Sequence, residues 1–444
     1  RIPNIILKHL TKKSLAVLAS IFNACLSVRY FPDVWKHAMI IVVHKPNKPK
    51  NELKSYRPIS LLSNISKILE KVIKKRLERY LETNSVIPDF QFGFRSGLST
   101  VHWLMGMHEL IIKSFEAKQH TLAIFMDLQQ AFDKVWHAGL VHKLFKINLP
   151  LYLVEIIESF VTNRTFSIKI QSSISSPKNI RAGVPQGSVL GPILFNIYMH
   201  DIPQIDGPTT AMYADDTALF VSHEDINVCA TQIQSAVDSL LPWLYKWKLE
   251  LNANKCEAMI FTLRRPQNPQ TITIATNQIP YKAPDETVKY LGLQLDRRLT
   301  WNHHINIKLN LAYARLSQLY PLLNRRSKLK ITCGKLLYTS LIRPVIMYAC
   351  PVWGGAANSK LKRIQVLQNK VIRIITNAAW FVRNQQLHKE LQLPTVTNYI
   401  KTTSVKFIRN LQISNNSIIS RIGYKLNDRR LKPRLIQDVM NISA

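Results

Sequence analysis

The sequence predicts an α+β fold: a mixed body of strands and helices, followed by a basic, mostly helical region. Three observations predict it. Short apolar runs of strand length, such as AMIIVV at 38–43 and TLAIFMD at 121–127, alternate with longer segments whose apolar residues recur at helical spacing. Strand-like runs stop near Trp301. From residue 301 onward only Glu390, Asp428 and Asp438 are acidic, against 24 Lys and Arg.

Taken in order, residues 1–30 place Leu15, Leu18, Ile21, Phe22 and Leu26 at helical spacing, and AMIIVVHKPNKPK reads as a strand running into a basic turn. An amphipathic helix with a Lys- and Arg-rich polar face is expected over 60–82, and a second helix near 98–117. TLAIFMD is a strand ending in an acid, and AGLVHKLFKI begins another helix. RTFSIKI at 164–170 alternates as a strand does, and a Pro- and Gly-marked loop then leads into a helix near 188–200. MYADDTALF at 212–220 suits a β-hairpin with Asp215 and Asp216 at its turn. A helix over 228–248, a strand at EAMIFT and one more at VKYLGLQLD complete the body. Beyond Trp301, Pro and Gly breaks are expected near 321, 334, 344, 351–355 and 394.

At 444 residues the chain is too long for one simple core. No apolar run approaches the ~20 residues of a membrane span, and no secretory signal is recognisable. Cys25, Cys229, Cys256, Cys333 and Cys350 are scattered without a C-x-x-C pair, which argues against a disulfide framework or zinc site and fits a reducing compartment. The net charge of +33 points to a polyanionic partner, nucleic acid ahead of a membrane surface. Because the chain begins at Arg1, it is expected to be part of something longer.

Two adjacent carboxylates in an apolar stretch repel each other and resist burial. With Asp127 at a strand end, Asp215 and Asp216 make a three-acid set whose charge a cation would relieve. Hard oxygen ligands favour Mg²⁺ or Mn²⁺ over zinc, and paired ions of that kind stabilise the attacking and leaving oxygens of phosphoryl transfer. Phe132 follows Asp127 by five residues, so its ring belongs either beside an incoming sugar or in the core. In RAGVPQGSVLGPILFNIY, Gly183 and Gly187 let the backbone approach a ligand, and Gln186 can hydrogen-bond a base edge or sugar. Arg57 of YRPISLL and Arg95 of FQFGFRSG suit either a triphosphate or an ordinary ion pair. Lys255 is either a proton donor to departing pyrophosphate or a surface lysine. The histidines, including His303 and His304, lack metal-ligand spacing.

The ordered segments YRPISLL, FQFGFR, FMDLQQAFDKVWH, GVPQGSVLGPILFNIY, MYADDTALF, LNANKCEAMIF and KYLGLQLD resemble the successive reverse-transcriptase motifs of non-LTR retrotransposons, jockey-type elements in particular. LIRPVIMYACPVWGGAANSKLKRIQVLQNKVIRIITNAAWFVRN is similar to the region after the polymerase in those elements, so the resemblance spans roughly residues 30–400. It implies an RNA-directed DNA polymerase with a right-hand fold of fingers, palm with an antiparallel sheet, and helical thumb. The implied division is a helical extension and start of the fingers at 1–50, fingers at 51–120, palm with fingers insertion and primer grip at 121–300, thumb at 301–380, and a basic C-terminal region at 381–444.

The resemblance also implies the roles. Asp127 and Asp215, with the Leu128 carbonyl, would ligate two Mg²⁺ ions (Mn²⁺ as the alternative), and Asp216 would complete the acidic centre. Phe132 becomes the sugar gate, Gln186 and Gly187 support the nascent pair, and Arg57 and Arg95 lie near template or triphosphate. Lys255 matches the pyrophosphate-side lysine, and Tyr290, Leu291 and Gly292 the primer grip. Partners would be an RNA template, a DNA primer and dNTPs, with an upstream endonuclease domain of the same polyprotein as a further candidate. The expected location is the nucleus, with a cytoplasmic ribonucleoprotein stage. No Cys-His zinc knuckle, endonuclease or RNase H module is recognisable. The rival readings are an intron-maturase reverse transcriptase, which also uses A-D-D, and a non-catalytic RNA-binding shell.

Overall fold

The computed structural model describes residues 2–46, 48–265, 269–411 and 416–422, together with Leu431, Ile436 and Asp438. Much of the basic stretch expected at the end of 381–444 therefore lies outside the described residues. The strands are β1 (His37–His44), β2 (Tyr56–Leu61), β3 (His120–Asp127), β4 (Arg164–Ile170), β5 (Ser173–Ile174), β6 (Lys178–Ile180), β7 (Thr209–Tyr213), β8 (Asp216–His223), β9 (Glu257–Phe261), β10 (Ile272–Ile274), β11 (Asn277–Ile279), β12 (Thr287–Tyr290) and β13 (Leu293–Asp296). Among the described residues, no helix is long and apolar enough to cross a membrane.

The element that organises the rest is an antiparallel sheet in the order β7-β8-β3-β9. Its central strand β3 is buried along nearly its whole length. Alternation explains how one strand serves two cores. Leu122, Ile124 and Met126 enter one hydrophobic core, with the helices Asn64–Thr83, His137–Lys146, Leu151–Val161 and Ile226–Lys246. Ala123 and Phe125 enter the other, with the helix Thr100–Glu116 and the C-terminal helices. A strand buried on both faces is expected to be apolar, as LAIFM is; the polar residue just before it, the buried Thr121, has its hydroxyl bonded to Ser114 and Ser222.

A second sheet runs β2-β1-β4-β5, with β6 also on β4, and it corrects one expectation. Ser60 and Leu61 do not begin the 60–82 helix. Residues 56–61 form β2, antiparallel to β1 with Ile41 opposite Ile59, and the helix starts only at Asn64. Its buried stripe Leu69, Ile73, Leu77 and Leu81 recurs every four residues, the signal the sequence carried. VKYLGLQLD is likewise two strands. Leu291 (φ 43°) and Gly292 (φ 84°) both adopt positive φ in a two-residue turn, the geometry that reverses a hairpin.

Beyond Trp301 helices dominate, as expected. The break expected near 321 falls just after Pro321, where the helix Asn302–Leu323 ends, whereas Gly334 lies inside Ile331–Leu337 and breaks nothing. A Cβ on Gly334 would stand 2.8 Å from Ile375 Cγ2, so that glycine marks a close helix contact.

Candidate active site

Strand pairing brings the three carboxylates together. Asp127 closes β3 and Asp216 opens β8, and the two are direct cross-strand partners. Asp215 lies in the two-residue turn between β7 and β8, where Tyr213 pairs with Asp216. The expected hairpin is present, with Asp215 in its turn and Asp216 one residue into the strand. Leu128, next in chain, is buried, and its backbone bridges to Leu251. Lys255 arrives from the short helical turn Ala253–Lys255, and its ammonium sits 2.6 Å from Asp127 Oδ2. Lys255 is thus a charge partner of the acidic centre, and its side chain remains 62% exposed.

Burial raises the Asp215 carboxyl above its usual range; the Asp127 charge adds to this, and Lys255 opposes it. Asp216 is pushed up to about 6, first by desolvation and then by the Asp215 and Asp127 charges. Asp216 remains solvent-exposed at its outer edge, so the protein wall and the two like charges act while water still reaches it. A site of this kind binds a cation favourably because the cation removes the repulsion. Its donors are hard carboxylate oxygens, which suit Mg²⁺ or Mn²⁺. With Asp127 turned to Lys255, no cluster of three or more His, Cys, Asp and Glu among the described residues converges as a ready cage. Lys255 holds one oxygen of Asp127, so a metal would meet that carboxylate at its other oxygen or in competition with the ammonium.

The hairpin turn is held from outside. Ala214 has φ 61°, a position usually given to glycine. Residues 90–94 run alongside β7: Phe92 N donates to Met212 O and Met212 N to Phe90 O, both at 2.8 Å. The buried Gln91 Oε1 then accepts from Gly93 N at 2.8 Å and from Ala214 N at 3.0 Å. Gly93 must be glycine, since a Cβ would lie 2.3 Å from Ala214 N. Sequence reasoning passed over Gln91; the signal was a single amide inside the aromatic run FQFGF.

Phe132 is half-buried, stacked on Phe195 (centroids 4.6 Å, 26°) and edge-on to the exposed Phe94 (6.2 Å, 89°). It is thus neither a free surface ring nor a fully enclosed one. The GVPQG loop is zipped to the same segment, with Gly183 N donating to Val135 O and Val184 N to Phe132 O. Gln186 Nε2 points to Asp133, 3.2 and 3.3 Å from its two carboxylate oxygens. Gly187 (φ 111°) lets this loop cross β2, since a Cβ there would meet Ser60 O at 2.7 Å. The buried Glu70 accepts from Val189 N and Leu190 N and fixes the loop's exit.

The remaining residues divide. Arg57 is exposed on β2, the strand the GVPQG loop touches. The Arg95 guanidinium is committed to its own loop, donating to Pro88 O at 3.1 Å beside Asp89 at 3.7 Å. Burial lowers its pKa from the usual arginine value. Tyr290 is a core residue in this structure: 4% exposed, packed on Phe125 and receiving the Trp103 indole N–H at 3.1 Å. Only Leu291 and Gly292 of the expected primer grip form the turn itself. Tyr348, unforeseen, supports that turn by donating to Leu291 O at 2.8 Å.

With this geometry in hand, the family model for reverse transcriptase (RNA-dependent DNA polymerase) matches residues 43–295. A probable RNA-directed DNA polymerase from transposon X-element of Drosophila melanogaster is 37% identical, covering 99% of this chain and 48% of its own length. That from transposon BS of the same species is 38% identical over 97% and 48%. The RNA-directed DNA polymerase from mobile element jockey of Drosophila melanogaster is 35% identical over 94% and 46%. The chain spans about half the length of the curated relatives it matches.

Proposed function

The chain belongs to the reverse transcriptase (RNA-dependent DNA polymerase) family, and from that premise we propose that it is the RNA-directed DNA polymerase portion of a non-LTR retrotransposon protein, extending a DNA primer on an RNA template. The observation that carries this reading is the pairing of Asp127 with Asp216 across β3 and β8, with Asp215 in the adjoining turn. The primer 3′-oxygen attacks the α-phosphorus of a dNTP, and the bond to the bridging oxygen of pyrophosphate breaks.

Asp127, Asp215, Asp216 and the Leu128 carbonyl would hold two Mg²⁺ ions, or Mn²⁺, which supply Lewis acidity toward the attacking and leaving oxygens. Lys255, freed from Asp127 as the acids take up cation, would turn its ammonium to the pyrophosphate. Phe132, fixed from below by Phe195, would crowd the 2′ position of the sugar. Gln186, oriented by Asp133, and Gly187 would line the nascent pair. Arg57 would face triphosphate or template, whereas Arg95 would act by shaping its loop unless binding withdraws it from Pro88. Leu291 and Gly292 would touch the primer, and Tyr290 would support them from the core. The proposed body plan keeps fingers at 51–120, palm at 121–300 and thumb at 301–380. Template pairing selects the base, so the protein reads backbone and shape. An endonuclease in the remainder of the polyprotein and a nuclear site of action belong to the same proposal.

Asp215→Asn tests it. Mg²⁺-dependent primer extension on an RNA template should fall by at least about a thousandfold, since electrostatic terms of this kind are among the largest in catalysis, while template binding in a filter assay stays close to the parent's. Equal incorporation by the two proteins sinks the assigned centre.

A further inference from the structure

The helix Asn358–Thr376 ends at Asn377 (φ 49°), and the loop that follows, residues 377–383, is inside out. Its small aliphatic residues Ala378 and Val382 pack against the core. Its two large aromatics face water, with Trp380 89% and Phe381 71% exposed. The rings lie edge to face, with centroids 6.0 Å apart. Exposure at this level costs hydrophobic free energy, and the loop is held so as to maintain it. Arg373 donates to Asn384 Oδ1 at 2.9 Å, to Ala379 O at 3.0 Å and to Val382 O at 2.5 Å, clamping the loop on both sides of the pair.

The same loop borders an open groove of about 580 Å³ lined by Tyr320, Arg325, Val366, Lys370 and Asn384 among others. Arg326, Lys328 and Lys330 follow Arg325 in the chain, and no acid occurs between residues 301 and 389. A fixed pair of outward aromatics beside a cationic groove is the combination that binds unpaired bases: backbone phosphates follow the charges, and bases stack on the rings.

We propose that Trp380 and Phe381 form a stacking platform for single-stranded nucleic acid whose backbone lies in the Arg325–Lys370 groove. The proposal rests on the nucleic-acid reading above but uses none of the residues assigned to chemistry. The platform takes an unpaired strand, either RNA or DNA, rather than duplex. A protein surface is the competing occupant, and charge disfavours it: a groove with no acid at all suits phosphates better than a mixed interface.

The test uses the 444-residue chain, its Trp380→Ala and Phe381→Ala variants, and short oligo(U), oligo(dT) and blunt duplex RNA probes. Circular dichroism melts screen out misfolding, and Trp380→Phe preserves a ring if the alanine variant fails to fold. Loss of either ring should weaken oligo(U) or oligo(dT) binding about tenfold, leave duplex binding unchanged, and leave the salt slope intact because no charge is removed. Comparing the two single strands distinguishes RNA from DNA as the occupant. Trp380→Phe should retain most of the affinity but lose part of the tryptophan quenching seen when oligo(U) binds. By contrast, Arg325→Gln with Lys370→Gln should flatten the salt slope by about 0.7 per lost phosphate contact. Unchanged single-strand affinity in both alanine variants overturns the platform, as does an equal loss on duplex. So does a change in self-association by sedimentation while oligo affinity stays fixed. Primer extension reads the separate question: if the parent chain binds and quenches on oligo(U) but never incorporates nucleotide, the polymerase reading fails and the platform stands.

Discussion

Gln91 has one oxygen and two obligations. It accepts the N–H groups of Gly93 and Ala214, and both would be left without that partner in Gln91→Ala. A buried orphaned donor costs about 1–3 kcal/mol, so urea denaturation should show a loss of that size for each. The Ala214 donor belongs to the turn that aims Asp215, so primer extension should fall by more than the stability loss explains, with the deficit in kcat rather than in KM. A proportionate loss, rescued by working at lower temperature, would show that Gln91 serves only folding. Single residues of this type were hard to read in advance. The aspartates announced themselves because adjacent charges in an apolar run are anomalous. Gln91, Asp133 and Tyr348 look ordinary in sequence, and their importance comes from the partner each one meets: backbone N–H groups for Gln91, the Gln186 amide for Asp133 and a backbone carbonyl for Tyr348.

Elements were legible where periodicity was long and hidden where turns were short. RTFSIKI and TLAIFMD appear as strands with nearly the expected limits, and the 228–248 helix runs from Ile226 to Lys246. VKYLGLQLD read as one strand because its reversal needs only Leu291 and Gly292, and a non-glycine residue at positive φ leaves no compositional mark. The helix Asn302–Leu323 offers a test at this scale. His304, on its first turn, is fully buried between Trp301 and Trp353, accepting the Gln294 N–H at Nδ1. Burial, with Lys308 adding to it, drives its pKa down to about 3. The unfolded chain, with histidine near 6.5, then binds the proton more readily than the folded one between those values. Stability from this residue is fully present above pH ~6.5 and drains away as pH falls toward 3. His304→Asn keeps an acceptor for Gln294 without titrating in this window, so its Tm should depend less on pH between about 5 and 7 than the parent's. Parallel curves would show that another group governs the acid loss.

At the scale of the whole molecule, the fold class, the antiparallel sheet and the basic helical region were all legible, but the way the parts interlock was not. The division at residue 301 suggests a region that could be removed to leave a working body. Yet the second core joins Phe125 and Phe220 of the sheet to Leu309, Trp353, Leu361 and Val371 from beyond that point. A chain ending at residue 300 should therefore lose cooperative thermal unfolding and bind a hydrophobic dye, rather than simply weaken its hold on template. A sharp calorimetric transition in the shortened chain would mean that the two faces of the sheet are energetically separable. The pairing of β3 with β8 carries a wider consequence. Side chains on a strand change face with every step, so a single residue gained or lost within 122–126 would either turn Asp127 from its neighbours or send the residues before the change into the opposite hydrophobic layer. A chain altered in this way should lose cooperative unfolding in a thermal melt, and a parent-like melt would show that the strand absorbs the change as a bulge.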